Sequence, residues 1–204
     1  MSKLPFLILV TGLPASGKSG FSAYAGEKLA MPVLEKDRYK EILFDDIGFA
    51  SREAKLQLGT AAMDLMYDEA ARLLRCGISV ILDNNFETAS LPGLQQLQKQ
   101  VPCRLITVRV DADPVVVYER FVRRDLNPSR HRGHVVNSCY PEKGEPESYK
   151  PIGCDVFCRR YKERGMMDFD PGGVLLAADA TDFSSFSYEA LLERLKNAME
   201  NDHE

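Results

Sequence analysis

Five apolar runs alternate with stretches of helical periodicity along the chain. The runs have the continuous apolar character of strands that are covered on both faces. They span residues 4–11, 31–35, 78–83, 104–110 and 174–178. Apolar positions three and four residues apart predict helices up to about residue 30 and over about 38–44, 52–76, 91–100, 113–125, 154–164 and 187–199. This alternation predicts an α/β fold with a five-stranded parallel sheet, helices on both faces, and ligands beyond the carboxyl ends of the strands.

Residues 127–154 interrupt this alternation with several prolines and glycines and no periodic pattern. A connection of this length is usually either a functional lid or a disordered piece. We expect one domain over residues 1–204, with a lid insertion around residues 125–154.

The composition narrows the choice of function. The chain has 204 residues, of which 45% are apolar and 27% charged, enough to bury a core. A net charge of −4 argues against a surface that is attracted as a whole to nucleic acid. The longest apolar run, residues 6–10, is too short to cross a bilayer, and the first residues lack the features of a signal peptide. We expect no membrane partner, and the sequence gives no indication of the oligomeric state.

The cysteines indicate a reducing environment. Five is an odd number in a chain of this size, which favours free thiols and a cytoplasmic location. Cys154 and Cys158 are four residues apart and Cys139 lies upstream. A zinc site built from these three and a histidine is the alternative, although no Cys/His pair has the usual spacing of zinc ligands.

The strongest motif follows the first predicted strand. Residues 12–19, Gly-Leu-Pro-Ala-Ser-Gly-Lys-Ser, fit the phosphate-loop pattern G-x-x-x-x-G-K-[ST] between a strand and a helix. Glycines let the backbone curl so that successive N–H groups and a helix N-terminus meet phosphate oxygens. We expect Lys18 to reach the β- and γ-phosphates of ATP and Ser19 to bind Mg²⁺. The candidate nucleotide-binding residues are Gly12, Pro14, Ala15, Ser16, Gly17, Lys18, Ser19 and, outside the loop, Arg120. Lys18 is also a candidate catalytic residue.

Asp37 follows the second predicted strand, whose end lies near the phosphate loop in such a sheet. A carboxylate there can orient an acceptor hydroxyl and take its proton during phosphoryl transfer. The alternative is an N-cap for the next helix. Lys40 shares a helical face with Asp37 and can bind acceptor phosphate or transition-state charge, or lie in solvent.

Asp83 ends the third predicted strand. An apolar strand that ends in a carboxylate, downstream of a phosphate loop, indicates a second Mg²⁺ ligand. Asn84 and Asn85 follow and could line the acceptor pocket, although asparagine is also common in turns.

A basic cluster leads into the irregular segment. Arginines on a closing lid can clamp a triphosphate and stabilise charge on the moving phosphoryl group, although most basic runs are simply solvated. On this ground Arg120 and Arg124 are candidate catalytic residues, and Arg130 is a candidate substrate ligand. His131 and His134 flank Gly133, and either could contact substrate.

These segments together resemble the small P-loop kinase-like ATP-binding proteins grouped with phage polynucleotide kinase, zeta toxins and chloramphenicol phosphotransferase. The resemblance rests on GLPASGKS, EKDRYKE, VILDNNF, YERFVRR and RHRGH. It implies a P-loop NTPase fold, with Asp37 as the base and with Arg120 and Arg124 as lid arginines. Lys40 stands where polynucleotide kinase has an arginine. The resemblance also implies that adenine lies between the lid helix and residues 179–182.

The sequence thus favours a phosphotransferase that uses ATP and Mg²⁺ and acts on a hydroxyl of a small molecule. The RHRGH piece is similar to a lid motif of kinase-like members outside the nucleic acid enzymes, which favours a small acceptor. A polynucleotide or nucleoside 5′-hydroxyl is the second candidate acceptor. An ATP-binding regulatory ATPase with no phosphorylated acceptor is the alternative from another functional class.

Overall fold

The computed structural model describes residues 4–201. Five strands are present in this range: β1 (Phe6–Gly12), β2 (Val33–Glu35), β3 (Val80–Asp83), β4 (Arg104–Asp111) and β5 (Val174–Asp179). The α-helices are α1 (Lys18–Leu29), α2 (Lys36–Asp46), α3 (Arg52–Arg75), α4 (Leu91–Gln100), α5 (Pro114–Asp125), α6 (Arg132–Val135), α7 (Cys154–Glu163) and α8 (Tyr188–Asn201). None of the helices within 4–201 is long and apolar enough to cross a membrane.

The five strands form one parallel sheet in the order β2-β3-β1-β4-β5. The α/β P-loop fold predicted from the sequence is confirmed. Because all the strands run the same way, their carboxyl ends meet at one edge. Val10 of β1 and Glu35 of β2 both pair with Asp83, so the phosphate loop and the end of β2 flank this carboxylate.

Helices cover the sheet on both faces, and each face has its own core. On one face, α3 and α4 pack on alternate residues of β1 and β3, for example Met66 and Leu94 on Leu9. On the other face, α1 and α8 pack on the intervening residues, for example Phe21 and Leu192 on Ile8. This alternation explains why the central strands are apolar throughout.

Two smaller clusters attach the elements around the site. Val117 of α5 and Phe157 of α7 pack together with Leu13 of the phosphate loop. Phe44 of α2 packs with Phe49 and with Val136, which directly follows α6. The helix α2 therefore contacts both the sheet edge and the irregular segment.

The predicted helix at about 38–44 is longer in the structure, because α2 begins immediately after β2. Asp37 is thus the second residue of a helix whose N-cap is Glu35, so Asp37 itself is not the cap. Residues 126–153 include one short helix, α6, and an isolated antiparallel bridge between Phe49 and Tyr140. A piece of the segment expected to be irregular is thus paired to the loop between α2 and α3.

Candidate functional site

The loop between β1 and α1 has the backbone curvature that phosphate binding requires. Gly12 and Gly17 adopt φ values of 146° and 97°, and Ala15 lies in the left-handed region at 69°. A Cβ atom on Gly12 would lie 2.3 Å from the carbonyl oxygen of Val110. Only glycine can therefore occupy position 12 without displacing the neighbouring strand. The buried hydroxyl of Ser16 has no hydrogen-bond partner among the described residues.

Lys18 and Asp83 are both buried at the base of this loop, 7% and 5% exposed. Burial lowers the pKa of Lys18, and the negative charges of Asp83 and Asp37 oppose that shift. Burial raises the pKa of Asp83, and the charge of Lys18 opposes it. The Oδ2 atom of Asp83 is buried without a hydrogen-bond partner in the part of the chain described. Such an atom suits a cation ligand, and the exposed Ser19 lines the same small cavity.

Asp37 lies across this small cavity from the phosphate loop. The cavity is lined by Lys18, Ser19, Glu35, Asp37, Asp83, Asn84 and Asn85. Burial opposes ionisation of Asp37, but four surrounding basic side chains together lower its pKa below the ordinary value. These are His134, Lys40, Arg130 and Lys18. Asp37 is consequently a carboxylate at neutral pH.

A larger cavity of about 890 Å³ extends from this point between α2, α3 and α5. Of the residues singled out from the sequence, its lining includes Pro14, Lys18, Ser19, Asp37, Lys40, Asn85, Arg124, Arg130 and His134. The lining also includes Glu35, Lys36, Glu41, Lys55, Glu87 and Arg164, which the motifs did not indicate. Most of the predicted site residues therefore share one cavity.

Arg124 and Arg130 meet at the buried side chain of Asp125. Nη2 of Arg124 lies 3.0 Å from Oδ1 of Asp125, and Nε of Arg130 lies 3.6 Å from the same oxygen. Nη2 of Arg130 lies 3.7 Å from Oδ2 of Asp37. Burial and the charge of Arg124 lower the pKa of Arg130. These contacts connect the end of α5 to the first turn of α2.

Arg120 differs from the other two arginines in its surroundings. Its guanidinium donates to the carbonyl oxygens of Ala180 and Thr181, both at 2.7 Å. The guanidinium carbon lies 3.6 Å from the ring centroid of Phe183. The structure thus places Arg120 against the loop after β5, not among the residues that line the cavity.

His131 and His134 have separate surroundings. His131 precedes α6, where its Nδ1 atom accepts from the Gly133 amide at 3.0 Å and its Nε2 atom lies 2.9 Å from Asp45. His131 does not line the cavity, so the structure does not bring this candidate to the site. His134 lines the cavity, and its Nε2 atom lies 2.9 Å from Glu41. Burial lowers the pKa of His134, so Nε2 donates to Glu41 from a neutral ring.

The two asparagines after β3 lie close to the carboxyl edge. The amide N–H of Asn84 donates to the carbonyl of Val10 at 3.2 Å, and its buried side chain contacts Met63. The buried Oδ1 atom of Asn85 has no hydrogen-bond partner within residues 4–201. Asn85 is thus the asparagine with an acceptor atom left for a ligand.

Lys55 is a buried cation that the sequence analysis missed. It is 8% exposed, and its Nζ atom donates to the carbonyl oxygens of His134, at 2.9 Å, and of Val136. Burial lowers the pKa of Lys55 to about 8. This lysine ties α3 to α6 across some eighty residues of chain, and a single lysine in an amphipathic helix carries no signal of such a contact.

The cysteines do not assemble into a metal site in the described range. The sulfur atoms of Cys154 and Cys158 are 4.0 Å apart, and all five cysteines are free. Residues 4–201 contain no group of three or more histidine, cysteine, aspartate or glutamate side chains able to hold a metal ion.

Comparisons with known proteins agree with this geometry. A crystal structure of a candidate kinase from Chloroflexus aurantiacus J-10-fl is 29% identical, with a TM-score of 0.79 over 96% of this chain and 99% of that one. Shikimate kinase from Bacteroides thetaiotaomicron is 14% identical, with a TM-score of 0.56 over 96% and 98% of the two chains. The APS kinase CysC of Mycobacterium tuberculosis, solved with AMPPNP and APS, is 15% identical, with a TM-score of 0.58 over 98% and 99%.

The resemblance to small P-loop kinases is therefore confirmed at the level of fold. The narrower grouping with polynucleotide kinase, zeta toxin and chloramphenicol phosphotransferase stays a prediction. No curated protein matches the chain in sequence. The family model of the AAA domain AAA_33 matches residues 7–138, from β1 through α6. The chain belongs to this family.

Proposed function

We propose that this protein transfers the γ-phosphoryl group of ATP, in the presence of Mg²⁺, to a hydroxyl of a small molecule. One observation carries the proposal: Lys18, Asp83 and Asp37 line a single cavity at the carboxyl edge of the sheet. A phosphate ligand, a cation ligand and a carboxylate able to face a hydroxyl are the parts that phosphoryl transfer uses. The kinases that share the fold support the same reaction class.

The triphosphate would lie in the loop of residues 12–19. Backbone N–H groups there and the N-terminus of α1 supply partial positive charge, and Lys18 supplies a full charge. Burial of a charged lysine lowers the free energy of unfolding, and a bound phosphate offsets that loss. The buried hydroxyl of Ser16, which has no hydrogen-bond partner within residues 4–201, would gain one when an oxyanion is bound.

Ser19 and Asp83 are the residues that would hold Mg²⁺. When bound, the ion neutralises charge on the phosphate oxygens and fixes their orientation. The unpartnered carboxylate oxygen of Asp83 and the exposed hydroxyl of Ser19 are hard oxygen donors, which suit this ion.

Asp37 would orient the acceptor hydroxyl and accept its proton. Its lowered pKa makes it a weak base, so it takes the proton only once the oxygen–phosphorus bond begins to form and the hydroxyl becomes acidic. The loose transition state of phosphoryl transfer requires little more than this, because positioning and charge stabilisation supply most of the rate.

Arg124 and Arg130 would stabilise charge on the moving phosphoryl group. Both arginines line the same cavity as Lys18, and their positive charges lower its pKa, which supports this role. Arg120 lies away from the cavity lining, so we propose a different role from the one that the sequence suggested. Its contacts with Ala180, Thr181 and Phe183 fix the loop next to which the family resemblance places adenine.

The segment around residues 125–154 would act as a lid on one domain that spans residues 1–204. Its attachment to α2 and α3 through Arg130 and Lys55 supports this role, since movement of the segment changes the surroundings of Asp37. Closure of such a segment excludes water from the reacting phosphate.

The proposal is tested by incubating the protein with a metabolite extract, Mg²⁺ and γ-labelled ATP, followed by mass spectrometry of the labelled products. We expect one dominant phosphorylated small molecule that disappears with Asp37→Asn. Release of labelled inorganic phosphate alone would favour the regulatory ATPase. Transfer to a 5′-hydroxyl oligonucleotide in preference to any extract component would favour the nucleic acid alternative.

A further inference from the structure

The lining of the main cavity is basic, in contrast to the chain as a whole. Nine lysine and arginine and six aspartate and glutamate side chains line it, whereas the whole chain carries a net charge of −4. Lys18, Arg124 and Arg130 are explained by the triphosphate of the proposed function. The positive charge beyond Asp37 requires a separate explanation.

We call three of the other cationic side chains that line this cavity the acceptor-side cations: Lys36, Lys40 and Arg164. Lys36 and Lys40 are one turn apart on α2, so their side chains share a helical face. Neither has an ion-pair or hydrogen-bond partner among residues 4–201. The Nζ atom of Lys40 lies 5.4 Å from the ring centroid of Phe44. This cation–π contact is weaker than a buried ion pair.

Three of the carboxylates that line the cavity are already engaged. Glu87 accepts a short hydrogen bond from Nε of Arg164, and Asp37 faces Arg130. Glu41, the next residue after Lys40, accepts from His134 and lies 3.9 Å from Arg38. The two lysines therefore contribute positive charge that no side chain within residues 4–201 neutralises by an ion pair or a hydrogen bond.

Folding does not explain this arrangement. Burial lowers the pKa of both lysines, the charge of Asp37 opposes this shift, and the charge of Arg164 adds to it, so each lysine keeps its charge at a cost in free energy. Lys36 is also the first residue of α2, where the helix dipole disfavours a cation. Unpaired cations held in a cavity against these costs indicate an anionic ligand.

We propose that the acceptor carries an anionic group, a carboxylate or a phosphate, and that Lys36, Lys40 and Arg164 bind it. The identity of this ligand as the acceptor rests on the proposed function, whereas the anion site itself does not. Asp37 lies between the two lysines along α2. An anion held by Lys36 and Lys40 therefore places a neighbouring hydroxyl of the same molecule beside the Asp37 carboxylate. These three cations are enough to bind one anionic group. A polynucleotide would need basic side chains along a longer surface, so that they contact several backbone phosphates.

The anion site is tested by equilibrium binding to the protein loaded with Mg²⁺ and AMP-PNP, so that the phosphate loop is already filled. Labelled inorganic phosphate and labelled acetate serve as separate probes, and the tighter one shows whether the site is built for phosphate or carboxylate. We expect saturable binding that weakens at least tenfold in the double variant Lys36→Gln/Lys40→Gln. The double variant Lys36→Arg/Lys40→Arg should retain binding, and Lys99→Gln on α4 serves as the control. No saturable binding, or equal binding by the Gln variant, would overturn the anion site.

The acceptor assignment is tested on the labelled product formed from a metabolite extract. A product whose acceptor part contains a carboxyl or phosphate group supports the inference. A neutral acceptor overturns it and leaves the phosphotransferase intact. Transfer chiefly to a 5′-hydroxyl oligonucleotide overturns it in favour of nucleic acid. If the probes bind but nothing in the extract is phosphorylated, the anion site stands, and the proposed function and the acceptor assignment both fail.

Discussion

Asp37 and Arg130 connect the acceptor side of the cavity with the irregular segment, Oδ2 of Asp37 lying 3.7 Å from Nη2 of Arg130. Arg130 is shared, because its Nε atom also lies 3.6 Å from Oδ1 of Asp125. A γ-phosphate in the loop competes with both carboxylates for this guanidinium. We therefore expect nucleotide binding to loosen Asp37 from Arg130 and free it to face a hydroxyl.

Substitution of Asp37 by asparagine removes the proton acceptor and keeps the size of the side chain. We expect kcat to fall by about 10²–10⁴-fold, the usual contribution of a positioned base. The affinity for ATP should change little, since Asp37 forms no hydrogen bond or ion pair with residues 12–19. Steady-state kinetics and calorimetric titration of ATP measure the two effects. Asp46→Asn, at the end of the same helix, is the control, and equal kcat in Asp37→Asn and this control would remove Asp37 from the mechanism.

Substitution of Lys18 by alanine removes the only full positive charge within the phosphate loop. A charged hydrogen bond contributes about 1.5–3 kcal/mol, so the affinity for ATP should fall by about 10–150-fold. Thermal stability without nucleotide should not fall by a similar amount, because burial of this lysine is costly to the fold. Calorimetry on Lys18→Ala and on Lys28→Ala, in the same helix, gives the comparison. An unchanged ATP affinity would contradict phosphate binding at this loop.

The substitution Arg120→Lys distinguishes the two roles considered for this residue. Lysine cannot donate to the carbonyls of Ala180 and Thr181 together while lying flat on Phe183. We expect the free energy of ATP binding to weaken by about 1–2 kcal/mol. The KM for ATP should then rise about 5–30-fold, while kcat stays within a factor of about two. A large fall in kcat with an unchanged KM would instead show that Arg120 acts on the phosphoryl group, as the sequence suggested.

The contribution of Lys55 to stability should depend on pH in a defined direction. Its pKa is about 8 in the folded protein, against 10.5 as the ordinary value, so between these pH values the unfolded chain binds more protons than the folded one. Stability due to Lys55 therefore rises as pH increases from about 8 to 10.5, by about 3 kcal/mol in total. Urea unfolding of the wild type and of Lys55→Gln across this range isolates the effect. A difference between the two proteins that does not vary with pH would contradict the lowered pKa.

Local sequence signals were sufficient to predict which residues meet at the carboxyl edge of the sheet. The phosphate loop, Asp37 and Asp83 each follow an apolar strand, and parallel strands bring their ends together whatever the details of packing. Their proximity in the structure follows from this rule. The longer helices were also predictable in position, apart from the early start of α2, which begins at the strand end without an intervening loop. The one-turn helix α6 lies in the segment for which the sequence predicted no helix.

The remainder of the site depends on tertiary contacts. Arg120 and Arg124 are one turn apart on α5, yet α5 directs one to the loop after β5 and the other to the cavity. His131 is the N-cap of the one-turn helix α6 and His134 lies within it, and only His134 of the two lines the cavity. Lys55 contacts carbonyls that are distant in sequence. Spacing alone carries no information on which side of a helix meets which partner.

The most direct test of phosphate binding opposite Asp37 is a crystal structure of the protein with Mg²⁺ and AMP-PNP. We expect the triphosphate in the loop of residues 12–19, the γ-phosphate between Lys18 and Asp37, and the ion at Ser19 and Asp83. A nucleotide bound elsewhere, or one whose γ-phosphate points away from Asp37, would contradict the assignment of this cavity as the site of phosphoryl transfer.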